Sequence, residues 1–407
     1  MKTLVVIGGG AAGFFCAVNA ARLSADIKVI ILEKTNKVLS KVKISGGGRC
    51  NLSHHCFEIS ELIKNYPRGK QFLKKEFSQF SPKNTIEWFE WHGIQLKTEA
   101  DGRMFPASNS SQTIIDCLLN EAEKYKIEIR VNTCIHRLFR ENDNWIIDLE
   151  KEKIVADFVC LACGGMQKIE QFNWLKNLHH SIETPVPSLF TFNIPDSNIT
   201  QLQGISIDAQ IKILETKLVE RSSLLITHWG LSGPAVLRLS AWGARIMAAK
   251  NYRFFIHVNW LPQYNEQNLR SEWNTIRNRI SAQKIGDKNP FDLPKRLWLY
   301  FLNKATIEET MYWSKLPAKQ QNKLIQILIA DEYQVQGKTT FKEEFVTCGG
   351  MALHEIDAQT MQSKLHKNLF FTGEIMDVDG VTGGFNFQHA WSSAWIAAKT
   401  IASIVRK

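Results

Sequence analysis

The chain reads as an α/β protein in two parts: a parallel-sheet domain carrying an antiparallel β layer, interrupted by an inserted domain that is β-rich first and helical afterwards. Three observations carry that expectation. A strand, glycine turn, helix, strand and acid follow one another between Met1 and Glu33. Glycine-rich strand-to-helix turns return at Gly373 and at Gly383-Gly384. Between them, from Pro185 onward, the pattern changes to short strands and then to polar helix.

The opening unit is the most specific. Lys2 to Ile7 is a β-branched apolar run that leads into Gly8-Gly9-Gly10-Ala11-Ala12-Gly13 and then into a small-residue helix, Phe14 to Leu23. A second apolar run, Ile27 to Leu32, ends on Glu33. In such a unit the first glycine permits the tight turn and the second lets the backbone approach a pyrophosphate. The third lets helix and strand pack closely, and the helix N-terminus faces the phosphates. Those positions are Gly8, Gly10 and Gly13. Glu33 follows Gly13 by 20 residues, where a carboxylate accepts hydrogen bonds from ribose hydroxyls and repels a 2′-phosphate. A lone GxGxxG is weak. With its strand, helix and acid in place, it predicts a Rossmann-like FAD/NAD(P)-binding domain.

The next segment separates the two cofactors. A simple nicotinamide dehydrogenase would continue into helix and strand. Here Lys34 leads instead to Ser45-Gly46-Gly47-Gly48-Arg49-Cys50-Asn51. Three consecutive glycines disfavour a packed helix and suit a backbone lying against a ligand. Lys34, Lys41, Lys43 and Arg49 would place positive charge near phosphates. The plainer alternative is a flexible surface loop.

Glu76 to His92 reads as one helix, Arg103 to Pro106 as a loop, and Gln112 to Tyr125 as an amphipathic helix. Ile127–Val131, Cys134–Arg140 and Trp145–Glu150 are strand-like runs of a small antiparallel layer, and Val155–Ala162 returns to the parallel sheet. Pro185-Val-Pro-Ser188 is a boundary signal. Strands are expected at Ser188–Ile194, Ile205–Leu214, Leu218–Thr227 and Arg253–Trp260. Pro262 to Asp331 is polar and helical, with Trp273, Leu297, Leu299, Tyr300, Leu316 and Leu324 as expected core. The domains are therefore 1–187 and 344–407 for the cofactor domain and 188–343 for the insert, β-rich over 188–261 and helical over 262–343.

Leu369 to Phe371 is a strand ending on Thr372-Gly373-Glu374, and Gly383-Gly384-Phe385-Asn386-Phe387 opens the last helix, expected over Gln388–Lys407. A second helix N-terminus is suited to the pyrimidine edge of a flavin, where negative charge gathers on reduction. Glu374 is placed to bond a ribityl chain. The expected FAD contacts also include Cys134 and the turn Ala162-Cys163-Gly164.

Size and charge bound the rest. The chain has 407 residues, 44% of them hydrophobic, enough for a sizeable core. Apolar stretches break well before the ~20 residues of a membrane span. Met1-Lys2 leads directly into the first strand, so no cleavable signal and a cytoplasmic location are expected. The net charge of +10 permits a nucleic-acid partner, but Lys and Arg are scattered and form no basic tract, which disfavours it. The eight cysteines have no framework spacing. Cys160-Leu-Ala-Cys163 lies on an apolar strand with no second CxxC, so neither a dithiol nor a metal site is expected.

These stretches resemble a known family, the bacterial flavoproteins related to aminoacetone oxidase and to the bile-acid-reducing BaiN enzymes, a branch of the two-dinucleotide-binding flavoproteins. The matching residues are Gly8 to Gly13, Ser45-Gly-Gly-Gly-Arg-Cys-Asn51, Thr227-His-Trp-Gly-Leu-Ser-Gly-Pro234, Val346-Thr-Cys-Gly-Gly350, Phe371-Thr-Gly-Glu-Ile-Met-Asp-Val-Asp-Gly380 and Gly383-Gly-Phe-Asn-Phe-Gln388, in the same order over nearly the whole chain. The resemblance implies FAD, a cofactor domain split by a β-rich insert, and an oxidoreductase. The chain departs from it in having Cys163 where threonine is usual and Phe385 where tyrosine is usual.

The chemistry would be the cofactor's, with flavin N5 accepting or donating hydride. Only one dinucleotide fingerprint is present, so NAD(P)H is expected at most as a transient reductant. His228, before Gly230-Leu-Ser-Gly-Pro234, is the first candidate for holding an anion or moving a proton. Its plainer reading is a capping or core histidine. Cys50 is the second candidate, against a structural thiol. The expected substrate site lies between flavin and insert. Three functions compete: an FAD oxidoreductase acting on a small organic molecule, a flavin-dependent enzyme acting on a nucleic acid, and a non-enzymatic FAD-binding redox sensor. Substrate, electron donor and oligomeric state are not legible.

Overall fold

A computed structural model describes residues 1–195, 197–339 and 346–406. The chain forms two compact units, Met1–Ser188 with Lys342–Lys407, and Leu189–Phe341. The expected return to the first domain at residue 344, Phe345, and the helix end at Lys407 lie outside the described residues.

The first unit is built on a five-stranded sheet in the order Leu369–Phe371, Phe158–Leu161, Lys2–Ile7, Ile27–Leu32, Glu128–Arg130. All its pairings are parallel. A parallel sheet is covered on both faces, so its strands read as unbroken apolar runs. Leu4, Val5 and Val6 are accordingly fully buried. The helix Ala11–Leu23 packs on the helix Phe385–Val405. Phe15 lies at the centre of that packing, with ring centroids 4.6 Å from Trp88 and 5.2 Å from Trp391. The buried Asn19 is satisfied between the Phe15 carbonyl and the Trp88 indole N–H.

Several expectations are corrected. Glu76–His92 is two helices, Lys70–Phe77 and Pro82–Trp91. Pro82 has no N–H to continue a helix but suits a first turn, and Ser81 and Asn84 form a capping box there. Arg103–Pro106 is a strand, paired with Ser53–His54 and Leu96–Thr98. Glu128–Arg130 belongs to the parallel sheet, not to the antiparallel layer. Val155–Ala162 is split into Lys153–Ala156, in the antiparallel layer with Ile135–Glu141 and Asn144–Leu149, and Phe158–Leu161, in the parallel sheet. The break is at Asp157, whose carboxylate accepts from Lys2 Nζ at 2.7 Å and from the Thr3 N–H at 2.8 Å. The boundary signal Pro185–Ser188 sits inside a strand, Ile182–Ser188, which pairs antiparallel with Val346–Met351.

The second unit is a seven-stranded antiparallel sheet with helices Pro234–Trp242, Glu266–Arg279, Lys295–Lys304 and Ala318–Ala330. Trp273, Leu297, Leu316 and Leu324 are buried in its core, while Leu299 and Tyr300 pack on it partly buried. The strand Asp331–Gln336 begins on a buried carboxylate. Asp331 accepts from Lys304 Nζ and from the Tyr333 hydroxyl, each at 2.5 Å, and from the Trp260 indole N–H at 3.3 Å.

Candidate cofactor site and active site

The three glycines of the first turn have three different surroundings. Gly8 has φ +116°, and a Cβ there would lie 2.3 Å from the Ala162 carbonyl oxygen. A Cβ on Gly13 would lie 1.9 Å from the Gly8 oxygen. At Gly10 a Cβ would meet nothing within 4 Å. The helix starting at Ala11 has no side-chain cap and no acid in its first turn. Its first N–H groups, at Ala11, Ala12 and Gly13, therefore keep their capacity for an anion beside that open space. Glu33 accepts from the Gly9 N–H at 2.8 Å through one oxygen and from the Thr35 N–H at 2.9 Å through the other. The Thr35 hydroxyl also donates to that second oxygen, at 2.8 Å, so the carboxylate is held at the rim of the glycine turn with one lone pair left, on the first oxygen, for a hydroxyl donor.

The second glycine loop is prepared by the helix Ser40–Gly48, whose geometry stops being helical at Ser45. The expectation of an open loop from Lys34 onward is corrected to that extent. Gly46, Gly47 and Gly48 are all left-handed, at φ +59°, +68° and +81°. Gly46 is crowded by Phe105, whereas a Cβ on Gly47 would meet nothing within 4 Å. Arg49 is already engaged: it bonds Glu99 at 2.6 Å and lies 4.1 Å over the Phe105 ring. Lys34 is exposed. The Asn51 carboxamide, oriented so that both ends are satisfied, accepts from the Gly384 N–H at 3.0 Å and donates to the Ser53 carbonyl at 3.1 Å. The second and last glycine motifs are thereby joined.

The C-terminal motif closes on the same region. Gly373 has φ +68°, and a Cβ there would lie 2.9 Å from the Ala12 Cβ. Glu374 accepts from Lys41 Nζ at 2.7 Å and from the Thr347 N–H at 2.9 Å. Gly164 has φ +72°, and a Cβ there would meet only Glu374 Oε2, at 3.9 Å. The last helix starts at Phe385, two or three residues before the expected Phe387 or Gln388, after a left-handed Gly384 with no side-chain cap. Asn386 braces the Gly380 backbone through both ends of its amide. Phe385 stacks on His54 at 4.7 Å, and Phe387 stacks on Trp391 at 5.7 Å. Gly383 is left-handed at φ +130°.

The cysteines behave differently from one another. Cys50 is fully buried, and burial pushes its thiol up to about 12 despite a Ser45 hydrogen bond. Such a thiol stays neutral and unreactive at ordinary pH. The half-buried Cys163 has its thiol turned inward, where burial likewise pushes it up to about 12 and it bonds the Ile7 carbonyl. Cys134 is exposed, one residue beyond Thr133, whose N–H donates to the Glu33 carbonyl at 2.9 Å.

His228 belongs to the second unit. It occupies the two-residue turn between strands Val219–Thr227 and Gly230–Ser232, with Thr227 facing Gly230 across the hairpin. It is exposed and packs edge-on against Trp229 at 4.2 Å. It is neither a core nor a capping histidine. Pro234 does open a helix, as its position implies.

Sequence reasoning missed three groupings in the first unit. Arg68 forms a bidentate ion pair with the fully buried Asp379, which also accepts from Ser188 Oγ at 2.6 Å. His54 backs Phe385. Glu76 and His389 form a buried pair beneath Gly373. No spacing rule links these residues, because each pair joins segments far apart in the chain.

A parallel sheet with a fingerprint turn, two uncapped helix starts and open glycines defines a Rossmann-type FAD-dependent oxidoreductase. The chain belongs to the family described as HI0933-like protein Rossmann domain, whose pattern matches residues 2–400. It is 30% identical over 410 residues to the ribosomal RNA dihydrouridine synthase of Escherichia coli, covering 98% of this chain and 97% of that one. It is 26% identical over 412 residues to the 3-dehydro-bile acid delta(4,6)-reductase of Clostridium scindens, covering 99% of each. In fold it is similar to the 3-ketosteroid delta1-dehydrogenase of Sterolibacterium denitrificans, with a TM-score of 0.52, 10% identity, and coverage of 99% of this chain and 100% of that one. No helix among the described residues is long and apolar enough to cross a membrane.

Proposed function

We propose that the protein holds FAD in its first unit and reduces a ring carbon–carbon double bond conjugated to a carbonyl group in a small organic substrate. The observation that carries the cofactor part is the open space at Gly10, flanked by glycines packed too tightly to accept any side chain. Supporting contacts are assigned to the first-turn N–H groups at Ala11 to Gly13, to Glu33, to the Ser45–Asn51 loop and Gly164, to Glu374, and to the backbone at Gly383 to Phe387. When bound, FAD supplies hydride transfer at its N5 position. The reaction class is supported by the names of two relatives. A dehydro-bile acid delta(4,6)-reductase and a dihydrouridine synthase both saturate a ring double bond next to a carbonyl. Such a reduction delivers hydride to the carbon β to the carbonyl and a proton to the α carbon. His228 is assigned to hold an anionic group or move that proton, since its ring is exposed and held by a short hairpin. The buried, neutral Cys50 thiol is assigned no chemical step. NAD(P)H is assigned as a transient reductant.

The test has two readouts. Flavin released by denaturation is identified by chromatography, and FMN or no flavin after reconstitution would sink the cofactor reading. Anaerobic stopped-flow then follows the flavin band with NADH and NADPH, and reoxidation by a conjugated dienone. Reoxidation no faster than in buffer would sink the reaction class for small molecules. His228→Ala should slow reoxidation while leaving flavin content intact.

A second reading takes uridine in ribosomal RNA as the substrate. It is favoured by 30% identity over nearly the whole chain to a protein named for that reaction, and the net charge of +10 permits it. Nucleoside analysis of ribosomal RNA from cells with and without the protein separates the two readings. Unchanged dihydrouridine leaves the small-molecule reading.

A further inference from the structure

We propose that His389 is a positioning residue for the cofactor: with Glu76 it holds one shared proton and uses it to fix the Gly373 carbonyl, and with it the Gly373-Glu374 turn that receives FAD. The proposal rests on the reading that FAD binds at this turn.

The geometry is unusual for a buried histidine. His389 lies in the second turn of the helix Phe385–Val405 and is 2% exposed, and Glu76 is fully buried. His389 Nδ1 faces both Glu76 oxygens, at 3.0 and 3.1 Å, while Nε2 faces the Gly373 carbonyl oxygen at 3.3 Å. Both ring nitrogens thus meet acceptors. A neutral imidazole has one N–H and one lone pair. Beside an ionised Glu76 it would set that lone pair against either the carboxylate or the carbonyl, with no water to relieve the clash. A buried polar group left in that state costs about 1–3 kcal/mol, and more if charged. One additional proton removes the conflict. It sits on Nδ1 as imidazolium or on Glu76 as carboxylic acid, and in either case Nε2–H donates to Gly373.

Gly373 matters because its backbone is gripped at both ends. Its N–H donates to Ser393 Oγ at 2.9 Å, and that hydroxyl donates to the His389 carbonyl at 2.7 Å. Its α-carbon lies against Ala12 in the first turn of the dinucleotide helix. The next residue, Glu374, is held by Lys41 and Thr347. A shift of the Gly373 carbonyl therefore moves the turn against the expected phosphate site. Other titratable groups do not take over the role of the pair. Burial, more than His389, sets the pKa of Glu76 and raises it above the ordinary carboxylate value, which makes it the weaker acid. Tyr66, before the helix that carries Glu76, is raised first by burial and then by Glu76, and its hydroxyl already donates to the Phe385 carbonyl at 2.7 Å. On the strand Ser53–His54, which also packs on the last helix, His54 stacks on Phe385 and its Nε2 faces the Asp101 carbonyl. On the dinucleotide helix the residue against Gly373 is the uncharged Ala12.

The test is FAD affinity of the full-length apoprotein from about pH 6 to about pH 9, read by quenching of flavin fluorescence, with circular dichroism melting of each apoprotein alongside. In the parent, Kd should rise about tenfold as the pair loses its proton, because the protonated pair is the form that receives FAD. In Glu76→Gln the amide N–H donates to Nδ1 of a neutral imidazole and Nε2–H still donates to Gly373. Its Kd should match the low-pH parent value and stay flat. His389→Leu should bind about tenfold more weakly at low pH and also be flat. A parent profile no steeper than that of Glu76→Gln would overturn the proposal, and this comparison stands even if His389→Leu does not fold. If Gly10→Val binds FAD like the parent, the cofactor reading itself fails. If Gly10→Val loses FAD while His389→Leu does not, only the present inference fails.

Discussion

Lys41 and Glu374 stand 333 positions apart in the chain and meet at 2.7 Å. The lysine is half-exposed, so the pair contributes about 0–1 kcal/mol at most. Its importance is geometric. One residue precedes the second glycine loop and the other follows the strand Leu369–Phe371, so the pair ties the N-terminal and C-terminal segments of the first unit together.

The first prediction separates the jobs of two glycines. Gly10→Val should fold and lose FAD, because Gly10 has φ −92° and its Cβ would meet no protein atom within 4 Å. Gly13→Val should fail to fold, because its Cβ would lie 1.9 Å from the Gly8 oxygen. Melting by circular dichroism and titration of the apoprotein with FAD check both. A stable Gly13→Val protein would refute the close packing of helix on turn.

Glu33→Ala should weaken FAD binding without abolishing it, by roughly 1–3 kcal/mol for the lost charge-assisted hydrogen bonds. Calorimetric titration measures it. An unchanged Kd would place the ribose elsewhere.

A fragment ending near residue 187 should fold poorly and hold no flavin. It lacks the strand Leu369–Phe371, which pairs with Phe158–Leu161, and the strand Val346–Met351, which pairs with Ile182–Ser188. It also lacks the helix that covers Ala11–Leu23. A stable yellow fragment of that length would show these elements to be dispensable.

Thiol labelling should divide the cysteines by burial. Cys134 is exposed and should react with a maleimide within minutes, whereas Cys50 is buried with its thiol raised to about 12. Because the shift is upward, the reactive thiolate of Cys50 is absent through neutral and mildly alkaline pH. Mass spectrometry of labelled peptides from the native protein reads the result. Labelling of Cys50 at the rate of Cys134 would return it to the reactive candidates.

In the second unit, Asp331→Ala should cost about 3 kcal/mol. It strips the Tyr333 hydroxyl and the Trp260 indole of their buried acceptor and leaves Lys304 without its carboxylate. Lys304 reaches solvent, which places the cost near the low end for breaking such a pair. Urea unfolding measures it, and a loss below about 1 kcal/mol would mean that water replaces the carboxylate.

Legibility followed locality. Lys2–Ile7, Ile27–Leu32 and Leu369–Phe371 were readable to the residue, because buried parallel strands are continuous apolar runs bounded by glycine or charge. The helix break at Pro82 was also present in the residues, but the aromatic periodicity from Phe77 to Phe89 ran across it and masked it. Arg103–Pro106 pairs with Leu96–Thr98 across a short hairpin, for which Asp101-Gly102 was a local signal that went unread, and only its other partner, Ser53–His54, lies far off in the chain. The same limit hid the polar pairs of the site. Arg68 with Asp379 and Glu76 with His389 exist only after the sheet has brought both ends of the chain together.

The edge strand Leu369–Phe371 has a consequence for how the molecule is made. The ribosome releases the central strands of the parallel sheet early, then the whole second unit, Leu189–Phe341, before it delivers the strand and helix that complete the sheet. At roughly 5–20 residues per second that interval is on the order of ten seconds or more. Throughout it the apolar face of Ala11–Leu23 lacks the helix that covers it in the finished fold. On the proposed cofactor site, which needs Glu374 and Gly383 to Phe387, flavin uptake waits for the end of synthesis.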